Sequence, residues 1–188
     1  MLQPGSGYVG AVEALGFPAW AADNGCFAQG AAFRLDRFYA WLERVPRSRL
    51  LWVTAPDVFP DAVATLTRSL PVLRELRRLG LGAAFVAQDG SEGDGMIPWD
   101  DADAIFIGGR DPWKIGGPAR AVITEGKRRG KWIHMGRVNS ARRLRYATTI
   151  GCDSADGTFL RFRNRGGDGS RDLISWCAQH TWNFQETP

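Results

Sequence analysis

Cysteine is scarce in this chain. Cys26, Cys152 and Cys177 stand far apart and form no C-x-x-C pair. An odd number at that spacing argues against a disulfide framework or a zinc cluster, and it fits buried thiols in a reducing compartment. No apolar stretch reaches the roughly 18 residues that a membrane-spanning helix needs, so no membrane partner is expected. The N-terminus lacks a basic segment followed by an apolar one, so no secretory signal is expected and a cytoplasmic location is. A Gly-x-Gly-x-x-Gly turn follows none of the apolar runs described next, which weakens a dinucleotide-binding reading.

What the chain does have is short apolar runs that each end in polar residues or glycine. They are Trp20-Ala21-Ala22 before Asp23-Asn24-Gly25, Leu50 to Val53 before Thr54-Ala55-Pro56-Asp57, and Ala83 to Ala87 before Gln88-Asp89-Gly90. Ala104 to Ile107 precedes Gly108-Gly109, and Gly151 to Ala155 precedes Asp156-Gly157. Runs of this kind are the mark of buried parallel strands. Lys131 to Met135 makes a sixth; a seventh is expected near Gly7 to Val9 and an eighth near Phe159 to Phe162.

Helical spacing connects these runs. Asp36 is a candidate N-cap for a helix with Phe38, Trp41, Leu42 and Val45 on one face. Asp61 to Leu79 carries Leu66, Leu70, Leu73 and Leu76, and Pro71 is expected to kink or split it. Pro118 to Arg129 ends at Gly130, Ser140 caps a helix with Leu144 and Ala147, and Ser170 starts a last helix. Alternating strand and helix implies a parallel sheet with right-handed crossovers. With 188 residues, a single domain over 1–188 is expected. Its expected fold is α/β, a compact or trimmed TIM-type (β/α)8 barrel, and an open doubly wound sheet is the competing architecture.

Charge is unevenly distributed. The net charge is only +4, yet 15 of the 24 Lys/Arg and 5 of the 20 Asp/Glu lie between Arg110 and Arg171. Arg137, Arg142, Arg143 and Arg145 form one cluster; Arg161 and Arg163, followed by Arg165, form another. A surface of one sign is the footprint of a polyanion, although any single run also serves as a solvated face. Nucleic acid is the expected partner, and Arg137, Arg142, Arg143, Arg145, Arg161 and Arg163 are its candidate contacts.

The order of the strand-end signatures is informative as a set. Asp-Asn-Gly-Cys-Phe, Ala-Pro-Asp, Val-Ala-Gln-Asp-Gly, Ile-Gly-Gly, His-Met-Gly and Gly-Cys-Asp-Ser-Ala-Asp-Gly follow one another from about Ala21 to Arg161. This succession resembles the tRNA-guanine transglycosylase superfamily, which includes the DNA transglycosylases that insert 7-deazaguanines. The resemblance implies Asp156 as covalent nucleophile and Asp23 as general acid/base. It implies Asp57, Gln88, Gly108, Gly109, His134 and Met135 as contacts to a guanine or 7-deazaguanine base. No cofactor is implied, and no metal is expected, for the reason given next.

The departures are also informative. The tRNA enzymes carry a Cys-rich zinc site near the C-terminus, where this chain offers only Cys177 and His180. The family's glutamate shortly after the glycine pair is replaced by the run Arg110-Asp111-Pro112-Trp113-Lys114, so the pocket for the 7-substituent must differ. DNA is therefore expected over tRNA, with a homodimer or an accessory protein as a further possible partner.

The residue types suit that chemistry independently. Base exchange at C1′ passes through an oxocarbenium-like centre, so two carboxylates are a sensible minimum. One holds the sugar as an ester, and the other moves the proton of the departing and arriving base. A third carboxylate accepts the N1–H and N2–H2 edge of guanine. Each residue also has a plainer use. Asp23 suits an Asx-turn and Asp57 a helix cap. His134 suits a core position, and Trp113 either the core or stacking on a base. Asp153 is expected to be structural. A base-removing glycosidase, a tRNA-directed transglycosylase and an inactive nucleic-acid-binding homologue are the competing functions.

Overall fold

The computed structural model describes residues 1, 3–4, 19–159 and 168–179. Six strands lie within it: β1 (Trp20–Ala22), β2 (Leu50–Thr54), β3 (Ala83–Ala87), β4 (Ala104–Ile107), β5 (Trp132–Met135) and β6 (Ser154–Ala155). They pair in parallel and in chain order, β1-β2-β3-β4-β5-β6. A doubly wound sheet reverses its strand order at a switch point; this one does not. Successive crossovers of one hand place the helices on one face, and the sheet curls into a half-barrel. The seventh strand expected at Gly7 to Val9 lies outside the described residues, as does the eighth except for Phe159.

Among the described residues seven α-helices accompany the strands: α1 (Cys26–Gln29), α2 (Leu35–Leu42), α3 (Ala62–Arg78), α4 (Asp111–Lys114), α5 (Gly117–Arg128), α6 (Ala141–Thr149) and α7 (Asp168–Ala178). Side-chain alternation along the strands separates two faces. Phe85, Ile105, Ile133 and Met135 enter the main core beneath the helices, against Leu73, Leu76 and Ile123. The intervening Ala84 and Ala104 pack with Trp52 on the concave face.

Local signals account for several helix boundaries. Asp61 caps α3 through Oδ1, which accepts the Ala64 N–H at 2.9 Å, and Ser140 caps α6 by accepting the Arg143 N–H. One expectation is corrected outright and a second in part. Asp36 is not a cap but lies in the first turn of α2, where Arg34 binds it at 2.9–3.0 Å. Pro71 does not split α3, which runs 17 residues through it; burial of Val72, Leu73 and Leu76 against the sheet holds the segment together. The short α1 and α4 were not foreseen, being too brief to show a period. No described helix is long and apolar enough to cross a membrane.

Candidate active site

The carboxyl ends of the strands converge on one pocket of about 120 Å³, partly open to solvent. Asp23 follows β1, Asp57 follows β2, Gln88 follows β3, Gly108 follows β4, Arg137 follows β5 and Asp156 follows β6, and all six line it. Phe106 and Val86 form its apolar wall, and Phe27 and Phe59 stand at its mouth.

Asn24 fixes the first corner. It is buried; its backbone N–H donates to Thr54 Oγ1 (2.7 Å), its Nδ2 donates to Ala55 O (2.9 Å), and its Oδ1 accepts the Cys26 N–H (2.6 Å). These bonds tie the β1 loop to the β2 loop and set Asp23 beside Asp57. Asp23 itself accepts the Gly25 N–H at 3.1 Å, so the Asx-turn exists and the carboxyl still lines the pocket. Burial raises its pKa above the ordinary carboxyl value; the Gly25 amide opposes this, and the charges of Asp156 and Asp57 add to the rise.

Asp57 is held by donors on both oxygens. Oδ1 accepts Cys26 Sγ–H at 2.9 Å and Asn24 Nδ2 at 3.4 Å; Oδ2 accepts Gln88 Nε2 at 2.7 Å. Burial, then the Asp57 charge, pushes the Cys26 thiol far up, so it stays a protonated donor. Asp57 does not cap α3; Asp61 does.

Asp156 is shaped differently. Its Oδ1 accepts the Arg137 N–H at 3.0 Å and lies 3.5 Å from His134 Nε2. Burial works against its ionised form, but His134 and the Arg137 amide together outweigh burial, and its pKa lies below the ordinary value. Two neighbouring carboxyls thus have pKa values pushed apart, the pattern that separates a proton carrier from an ionised partner. Asp153 faces elsewhere: Oδ1 accepts Lys127 Nζ (2.6 Å) and Oδ2 accepts the Ile133 N–H (2.7 Å), a structural role.

Several candidates sit differently from expectation. His134 lies beneath the pocket, not on its wall, with Trp52 and Phe106 at ring-centroid distances of 5.1 and 4.7 Å and Nδ1 on Ser154 Oγ at 2.8 Å. The Met135 side chain belongs to the helix-side core and does not line the pocket. The glycine amides are already engaged: Gly108 N–H donates to Ala87 O and Gly109 N–H to Gln88 Oε1, both at 2.9 Å. Glycine is needed there for packing. A Cβ on Gly109, at φ +48°, would stand 2.3 Å from the Trp113 ring. Trp113 is buried and donates to Glu92 at 2.7 Å, so it is core and not a stacking platform.

Of the basic candidates, Arg137 reaches into the pocket. Its φ is +60°, its Nη2 donates to Gly109 O and to Gly108 O (3.4 Å), and its guanidinium lies 5.3 Å above the Phe59 ring centre. Arg143 is tied to Asp111 and to Arg137 O, whereas Arg142 and Arg145 are exposed on α6. Arg161, Arg163, Arg165 and His180 lie outside the described residues. Among the described residues no group of three His, Cys, Asp or Glu is placed to hold a metal ion. Sequence reading missed Asn24, Thr54 and Cys26 as supports and Phe27, Phe59 and Phe106 as walls. Period-two alternation from Ala84 through Val86 to Gln88, and from Ala104 through Phe106 to Gly108, was the available signal.

No protein-family model and no curated protein sequence matches the chain. Among solved structures it is similar to the PaMucR phosphodiesterase in complex with c-di-GMP, with a TM-score of 0.46 and 20% identity. The match covers 76% of this chain and 60% of that one. A likeness of that size carries no argument about chemistry.

Proposed function

We propose that this chain exchanges a guanine-type base at C1′ of a nucleotide in nucleic acid, DNA in preference to tRNA, on a trimmed TIM-type (β/α)8 barrel. The observation that carries the proposal is the pairing of Asp23 and Asp156 in one pocket with oppositely shifted pKa values. Ionised Asp156 attacks C1′ from the face opposite the base, and the C1′–N9 bond breaks as Asp23 delivers its proton to the departing base. The incoming base gives that proton back to Asp23 while its nitrogen displaces Asp156 from C1′. Atoms balance, and no oxidant or cofactor enters. Asp57, with its oxygens fixed by Cys26, Asn24 and Gln88, is the acceptor for the N1–H and N2–H2 edge.

Two surface features support a polymeric substrate. Phe27 and Phe59 are 68% and 40% exposed and pack edge to face at 5.4 Å at the mouth of the pocket; such rings offer stacking to an unstacked base. The first turn of α6 leaves the same end of the sheet and carries Arg142.

The deciding experiment incubates the protein with guanine-containing duplex DNA, single-stranded DNA or tRNA and labelled free guanine. Label should enter DNA, and a denaturation-resistant adduct should form that Asp156→Asn abolishes. Release of guanine without incorporation would replace exchange by hydrolysis. Neither release nor incorporation on any polymer would overturn the proposal.

A further inference from the structure

We propose that Arg137, not the Gly108–Gly109 amides, donates the hydrogen bonds that read the O6/N7 edge of the purine. This rests on the base-exchange reading above and deepens it.

The inference comes from counting donors. A guanine with its N1–H and N2–H2 edge on Asp57 turns two acceptors, O6 and N7, towards the β4 and β5 ends. The glycine amides cannot serve them, because Ala87 O and Gln88 Oε1 already hold both. Asn24 Nδ2 is spent on Ala55 O and Asp57, Thr54 Oγ1 on Ala22 O, and Gln88 Nε2 gives one N–H to Asp57, which leaves it a single donor. Asp23 needs its proton for the leaving nitrogen. Arg137 has donors enough for both acceptors, with five N–H groups of which only those on Nη2 are engaged among the described residues. An arginine fork matches guanine O6 and N7 together, as it does in the major groove of DNA.

Strand order supports the same placement. Around a guanine the groups run N2 and N1, then O6, then N7, then N9 with its sugar. Around the half-barrel the pocket groups run Asp57 after β2, Gln88 after β3, Gly108 after β4, Arg137 after β5 and Asp156 after β6. With N1 on Asp57 and C1′ at Asp156, the O6/N7 edge falls where Arg137 stands. Arg137 is also held in place. Its N–H is fixed on Asp156, Lys114 Nζ binds Gly136 O at 2.9 Å, and Arg143 Nη1 binds Arg137 O at 3.3 Å. Among the described residues Arg137 is the cation that lines the pocket, and Asp111 pairs with Lys114 and Arg143, which hold the Gly136 and Arg137 carbonyls, so beside Arg137 an acceptor on the 7-position is favoured over an ammonium.

Calorimetric titration of the intact protein with guanine, 7-cyano-7-deazaguanine and 7-aminomethyl-7-deazaguanine tests this. The wild type should bind the nitrile at least about tenfold more tightly than the ammonium-bearing base. Arg137→Met should weaken guanine by about tenfold or more and shrink the nitrile preference to within about threefold. Arg137→Lys keeps a cation without the fork; it should weaken guanine and retain the nitrile preference, which guards against a mere folding defect. Asp57→Asn should weaken all three bases without changing their order. Guanine binding by Arg137→Met within about twofold of the wild type, or an ammonium-bearing base bound as tightly as the nitrile, overturns the inference and leaves the base-exchange reading standing. A wild type that binds none of the three bases overturns both.

Discussion

Nε2 of His134 faces Oδ1 of Asp156 across 3.5 Å, and this buried nitrogen has no hydrogen-bond partner among the described residues. The ring is held from its other side, where Nδ1 meets Ser154 Oγ at 2.8 Å. Such a nitrogen is long for a hydrogen bond to Asp156 in the resting site, yet it stabilises the ionised carboxylate electrostatically. His134 does not line the pocket and bears on it through Asp156. The expected consequence is a shift in pH dependence. His134→Gln removes the imidazole that lowers the Asp156 pKa, so that pKa rises and the acid limb of the exchange rate moves to higher pH. KM for the base should change little. An acid limb that stays in place, with KM raised instead, would return His134 to the base-contact role.

Asp23 carries an opposite consequence. Its pKa is raised in the folded protein, so the unfolded chain ionises more readily, and the ionised group weighs against folding at neutral pH. Asp23→Asn should therefore abolish exchange while raising stability, within the roughly 0.5–2 kcal/mol common for single stabilising changes. Urea denaturation of both proteins at neutral pH measures it. The gain should vanish as pH falls through the ordinary carboxyl range, where Asp23 is protonated in both states. A destabilised Asp23→Asn would mean that the Gly25 turn matters more than relief of the buried charge.

Much of this was legible in the sequence, because each parallel strand announces itself as an apolar run and each strand end as a change to polar residues. Asp23, Asp57, Gln88, Gly108 and Asp156 come from five different loops, yet parallel strands in chain order deliver them to one pocket. Side-chain direction was harder to read. Met135 and His134 are neighbours, and the alternation of β5 sends one to the helices and the other beneath the pocket. Arg137 reads as one more member of a basic run; only its left-handed backbone turns its amide to Asp156 and its guanidinium to the glycine loop. The engagement of the Gly109 amide by Gln88 depends on a contact 21 residues apart, which no local pattern encodes.

Lys114 adds a stability signature at high pH. Its side chain is 1% exposed, and its pKa is pulled down to about 8 by burial and by the charge of Arg137, against the pull of Asp111. Between about 8 and the ordinary value of 10.5 the unfolded chain holds a proton that the folded protein has released. Stability from this group therefore rises with pH across that window, by roughly 3 kcal/mol in all. Lys114→Met should lose this rise, while its unpaired Gly136 carbonyl lowers stability by an amount that does not vary with pH. Paired denaturation curves at neutral and alkaline pH check the difference. Parallel pH dependence in the two proteins would show that Lys114 titrates normally.

The basic face of α6 should contribute less to polyanion binding than its charge count suggests. Arg143 is committed to Asp111 and the Arg137 carbonyl, so Arg142 and Arg145 are the exposed donors of that cluster. Each phosphate contact releases about 0.7–0.9 counterions. Neutralising Arg142 and Arg145 together should make the log–log salt slope for DNA binding shallower by at most about 2 units. Exchange on a free nucleoside, where it occurs, should be unaffected, because phosphate contacts position the polymer and do not read the base. Neutralising Arg143 should act differently: it frees Asp111 and loosens the Arg137 carbonyl, so base affinity should fall along with polymer affinity. Equal changes in salt slope from all three arginines, with base affinity intact, would show that Arg143 leaves Asp111 to bind phosphate. In that case the Asp111 contact holds only while DNA is absent.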